Sequence, residues 1–256
     1  MNQETFDFGD GKGPVLAHRH KNPDGSIGGW VAETAKVAVS ATVGPDARVF
    51  GKAQVYGKAR VSGQAQVSGK ARVFGQAQVS GKAKVFGQAQ VCGNAQLLGQ
   101  ARVSGNAQVS GNAKVSGNAK VFGQAQVCGN AQLLGQARVS GNAQVSGNAK
   151  VSGNAKVSGK ARVYDHARVF GQAQVSGQAH VFGNARVFGD TKVSGDAEVS
   201  GDAEVSGDAE VSGSARVCGN TVLSGDVVVS VSSLRAELEN IQARRAQVQG
   251  KRVIGW

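Results

Sequence analysis

The chain predicts an all-β solenoid, and three observations carry that reading. From Val31 to Val228 the sequence repeats every six residues without insertion or deletion, so that 198 residues divide into 33 hexads of the form Val-x-Gly-x-Ala-x. The first hexad position is Val except at Leu97, Leu133 and Leu223, and the fifth is Ala except at Thr191, Thr221 and Val227. Composition agrees: 38 Gly against 9 Phe, 2 Trp and 2 Tyr in 256 residues supply too few large side chains for one or two compact domains. They suit a thin stack whose units pack on their neighbours.

Residues 1–30 precede the array and read as a cap, since an open solenoid end exposes unpaired strand edges. Phe6, Phe8, Val15, Leu16, Ile27 and Trp30 are its candidate apolar groups. The segment begins Met-Asn-Gln-Glu-Thr-Phe-Asp, with no basic stretch followed by an apolar run, and nowhere is the chain apolar for long enough to cross a membrane. The expectation is a protein with no secretory signal and no membrane partner, in the cytoplasm.

Residues 31–228 are the array. In Ala-x-Val-x, side chains alternate as in any strand, which turns Ala and Val inward and the residues flanking Val outward. Gly followed by Asn, Asp, Gln or Lys makes the corner, because Gly accepts positive φ. A short strand on either side of every corner obliges the chain to coil around a narrow, dry interior with no ligand cavity.

The aliphatic residue followed four places later by a small one resembles the hexapeptide-repeat proteins. That resemblance implies a left-handed parallel β-helix with three hexads per coil, and hence 11 coils from the 33 hexads here. The segment Asp24-Gly25-Ser26-Ile27-Gly28-Gly29-Trp30-Val31 is similar to the lead-in of YdcK-type and phage-encoded hexapeptide proteins, which implies a phage or other mobile-element origin. Many hexapeptide-repeat proteins are acyltransferases. The resemblance would then imply a catalytic His, an extruded loop, and acyl-CoA as co-substrate held between the subunits of a homotrimer.

Residues 229–256 close the chain as a strand and helix cap. Ser232 or Ser233 can N-cap a helix running to about Val248. Leu234, Leu238, Ile241 and Val248 form its apolar stripe, either covering the last coil or pairing with copies of itself, with Arg245 on the same seam.

Cys92, Cys128 and Cys218 all occupy the second hexad position, on one face and at least two coils apart. Two coils are ~9.6 Å at strand spacing, too far for a disulfide, so they read as free thiols. No His or Cys stands near them at ligand spacing, and no metal site is expected.

Every eighteenth residue stacks, so one-residue ladders can be read directly. Lys84, Arg102, Lys120, Arg138 and Lys156 form a basic stripe in a chain of formal charge +12. It reads either as a polyanion-binding face or as a solvated face that keeps flat sheets apart. No aromatic residues alternate with it as stacking platforms for bases. Gln90, Gln108, Gln126 and Gln144 form a glutamine ladder. Asp196, Glu198, Asp202, Glu204, Asp208 and Glu210 then fill one coil with acid.

Chemistry has one candidate corner. The hexad Val163-Tyr164-Asp165-His166-Ala167-Arg168 is the only one from Val49 onward without Gly at its third position, and its Asp165–His166 pair could orient a general base. His180 falls on a different face. No loop leaves the array, so the sequence favours a non-enzymatic β-helical module, structural or interactive. The alternatives are an acyltransferase and polyanion binding along the stripe; a resident cofactor is expected in none of them.

Val85–Lys120 is identical to Val121–Lys156, a block of 36 residues that equals two coils. Deleting Val121–Lys156 removes two whole coils and restores every stack. A soluble, folded, shorter array is therefore expected, and a variant that stays insoluble or loses its β-rich circular dichroism would contradict coils of three hexads.

Overall fold

The computed structural model describes residues 4–231 and 252–255, and every element among them is a β-strand. The chain forms two compact units, Met1–Asn130 and Ala131–Trp256. The helix expected after Ser232 lies outside the described residues.

The array is an all-β parallel solenoid of about 11 coils, with strands on three sheets. Each hexad contributes a strand of two residues, the sixth of one hexad and the first of the next, as in β12 (Lys84–Val85), β13 (Gln90–Val91) and β14 (Gln96–Leu97). These three lie on three different sheets, and each pairs in parallel with the strand three hexads further along the chain. In the second unit Lys150–Val151 likewise pairs with Arg168–Val169.

Shortness follows from the corner. The third-position glycine sits in the left-handed region, φ +67 at Gly105, and turns the chain after only a few extended residues. A Cβ added there would lie 2.9 Å from the Gly123 oxygen in the next coil. The amide of Asn106 donates to that same oxygen at 2.7 Å. Close stacking of corners and a saturated backbone are thus one arrangement.

The interior is what the alternation predicts. Val115 and Ala113 are fully buried, as are Leu97 and Leu133, and each such Val contributes about 1.5–3 kcal/mol by leaving water. Thr191 replaces Ala inside without leaving a polar orphan, because its hydroxyl donates to the Phe188 carbonyl at 2.6 Å.

The N-terminal segment is a three-stranded antiparallel entry, β1 (Glu4–Phe6), β2 (Val15–Lys21) and β3 (Ile27–Ala32), from which β3 passes into parallel pairing at Trp30↔Arg48. Its apolar centre differs from the expected one. Phe8, Ala17, Ala32 and Phe50 are buried, with Phe6 and Trp30 packed against them. Val15, Leu16 and Ile27 stay exposed, Ile27 at 64%. One narrow face is all that the sheet covers, and the aromatic groups fill it. At the other end, Val227–Val231 pairs in parallel with Glu210–Gly213 on one side and Arg252–Gly255 on the other.

Replacing Val115 by Asp puts an unpaired carboxylate where no water reaches. A loss of about 4 kcal/mol or more in chemical denaturation is expected; an unchanged midpoint would refute the inward placement of the first hexad position.

Candidate functional site

Three of the five stripe residues belong to the first unit. Lys84 pairs in register with Arg102, and Arg102 with Lys120, so their side chains stand one strand spacing apart, ~4.8 Å. Arg138 and Lys156 pair likewise in the second unit. Among the described residues no carboxylate lies within ion-pair distance of Lys84, Arg102 or Lys120.

The acidic coil behaves differently. Glu204 bonds Arg186 at 2.6 Å, Glu210 bonds Lys192 at 2.7 Å, and Glu198 meets Arg216 at 3.2 Å. Each partner is one coil away. Hydrogen bonding to Glu210, helped by its charge, raises the Lys192 ammonium above its ordinary value. Stepping through the sequence three hexads at a time would have found all three pairs. The same step predicts the asparagine ladder, in which Asn94 donates to Asn112 and Asn112 to Asn130, both at 3.0 Å.

Asp165 and His166 are directed to different coils. Asp165 is the one non-glycine residue with positive φ among the described residues, 58°, and its carboxylate accepts the Gly183 amide at 3.2 Å. His166 Nε2 lies 3.0 Å from the Asn148 amide nitrogen. The carboxylate thus caps the next corner instead of orienting the imidazole. His180, expected on a different face, instead pairs in register with Arg162 on the sheet that leads into this corner, and stands edge-on to Tyr164 with ring centroids 6.2 Å apart. The three cysteines are free thiols on one sheet face, and burial raises the Cys92 thiol above its usual range.

Sequence reasoning missed the aromatic groups beside the stripe. Phe6 stacks on Trp30 with centroids 4.7 Å apart, the Arg19 guanidinium lies 4.6 Å from the Trp30 ring, and Arg48 lies 5.2 Å from Phe6. Trp30 and Arg48 belong to the same sheet as Lys84. Phe6 reaches them from β1, outside the repeat, so no periodicity reports it.

The YdcK beta solenoid repeat family matches residues 65–81, 143–159 and 161–177, one stretch in the first unit and two in the second. These stretches are hexads of the parallel β-solenoid, the fold that the family's description names. Its structure aligns with the UDP-N-acetylglucosamine acyltransferase of Francisella novicida at 12% identity and a TM-score of 0.33, covering 66% of this chain and 62% of that one. LpxA from Acinetobacter baumannii aligns at 13% identity and a TM-score of 0.33, covering 69% and 70%. The chain therefore spans less than two thirds of the Francisella enzyme. No curated protein matches it in sequence.

The corner at Asp165 gives a paired test. Asp165→Ala keeps the left-handed strain and loses the bond to Gly183, for an expected cost of about 1–2 kcal/mol. Asp165→Gly loses the bond but relieves the strain, and should fall within about 0.5 kcal/mol of the parent in urea melts. Equal losses in both would show that the corner tolerates any residue.

Proposed function

We propose that this protein is a non-enzymatic β-helical module whose work is done by its outer faces. The observation that carries this is the closed hexad: inward Ala and Val are fully buried from Ala41 to Ala215, and the hexads run from Val31 to Val228 with no loop between them. An acyltransferase needs a positioned base and a wall for its donor. At the one unusual corner, Asp165 is spent on the Gly183 amide and His166 lies against Asn148.

A second reading is favoured by a specific observation, the stacking of like charges at Lys84, Arg102 and Lys120. Like charges opposed across strands destabilise a sheet. The second unit relieves the same problem at Arg186, Lys192 and Arg216, which pair with glutamates, though Arg138 there still stacks on Lys156 and Lys150 on Arg168. The first-unit ladder remains available to an external polyanion, which supports binding of phosphate- or sulfate-bearing polymers along that face.

One set of variants tests both. The parent and His166→Ala should be equally inert in acyl-CoA-dependent transfer assays; turnover abolished by His166→Ala would establish the enzyme instead. Arg102→Glu with Lys120→Glu should weaken polyanion binding far more than Arg60→Glu with Lys114→Glu, which changes net charge equally on another sheet. Equal losses would reduce the effect to net charge.

A further inference from the structure

The first unit carries a groove of about 600 Å³ where the antiparallel entry meets the coils. Four cations line it, Arg19, Arg48, Lys82 and Lys84, against the single carboxylate of Asp46. Phe6 and Trp30 line it too, stacked on each other and flanked by the guanidiniums of Arg19 and Arg48. Arg19 is held in place by its own donors, which reach the carbonyls of Gly28 at 3.1 Å and Pro45 at 2.9 Å. The side-chain amides of Gln64 and Gln66 complete the wall.

We infer that this groove, continued by Arg102 and Lys120, is a binding site for single-stranded nucleic acid. The inference rests on the polyanion reading of the face and names its ligand class. Strand order on this sheet runs Trp30, Arg48, Gln66, Lys84, Arg102, Lys120, each in register with the next. Flat rings and guanidinium planes thus stand at one end of a row of cations. Five steps of ~4.8 Å make that row about 24 Å long. The stack runs Arg19, Trp30, Phe6, Arg48, so its outer flat faces are guanidinium planes backed by rings. A charged track for the backbone beside such flat, cationic stacking groups is the chemistry of single-strand recognition. Arginine planes add stacking faces of their own, and the glutamine amides can meet base edges.

Other occupants fit less well. The acidic coil of a second copy has complementary charge, but Glu198, Glu204 and Glu210 are already engaged by Arg216, Arg186 and Lys192. A sulfated glycan would use the cations but offer no flat π face to the guanidinium planes that end the Trp30–Phe6 stack. Duplex DNA offers phosphates but hides the flat faces of its bases.

The test uses the full chain with Trp256→Phe, which leaves Trp30 as the only tryptophan. Oligothymidylate of about 15 nucleotides should quench Trp30 fluorescence on binding. Engagement of Arg19, Arg48, Lys82, Lys84, Arg102 and Lys120 predicts a slope of log affinity against log salt of about −4. Arg102→Glu with Lys120→Glu should bring the slope to about −3 while keeping the quench. Arg19→Gln with Lys82→Gln should cut affinity about tenfold or more and diminish the quench, with the melting temperature checked to confirm folding. Heparin or duplex DNA binding as tightly as the oligonucleotide, with Trp30 emission unchanged throughout, would overturn the inference and leave the polyanion reading intact. Absence of binding to any of the three at low salt would overturn both.

Discussion

The constraint on which the rest of the array depends is the approach of one corner to the next. A side chain at Gly105 would meet the backbone of Gly123 at 2.9 Å, and at Gly81 it would meet that of Gly99 at 2.8 Å. Close stacking of the corners therefore favours a residue without a Cβ, Asp165 being the exception from Val49 onward. A longer or shorter hexad would set a side chain against a neighbouring corner. Once the coil is held at three hexads, valine falls on valine, and every outward residue falls on its counterpart.

That register turns single choices of residue into columns. At the sixth hexad position a cation repeated in every third hexad gives Lys84, Arg102 and Lys120 in a row, whereas a cation followed by a glutamate gives Arg186 on Glu204 and Lys192 on Glu210. Both arrangements cost the fold nothing inside, where alanine and valine dominate, with Leu97, Leu133 and Thr191 among them. They differ in what they offer outside. Exposed pairs contribute little to stability, but they remove charge from a surface that would otherwise attract counter-ions. Among the described residues, Lys84, Arg102 and Lys120 carry no such relief.

The array was legible in the sequence because its period is strict: Val-x-Gly-x-Ala-x states the inward pair, the corner and the turn residue at once. The columns were legible too, once three hexads per coil were taken from the resemblance to hexapeptide-repeat proteins. Regions outside the period were not. Val15, Leu16 and Ile27 are as apolar as the buried positions, yet they are exposed, since burial there depends on which side of a small sheet the coils cover. Phe6 joins Trp30 and Arg48 only through antiparallel pairing, which no spacing encodes. Asp165 and His166 are neighbours in sequence, and the corner nevertheless turns their side chains toward Gly183 and Asn148.

The duplicated block gives the columns a further property. Val121–Lys156 repeats Val85–Lys120 residue for residue, so each copy of 36 residues brings its own arginine and lysine, as Arg138 and Lys156 repeat Arg102 and Lys120. Unequal recombination within such a gene changes the number of cations in this column in steps of two and leaves the corners and interior untouched. Valency then becomes a heritable dial: under the proposed polyanion binding, lineages can raise or lower avidity by copy number alone, without selecting a single new contact.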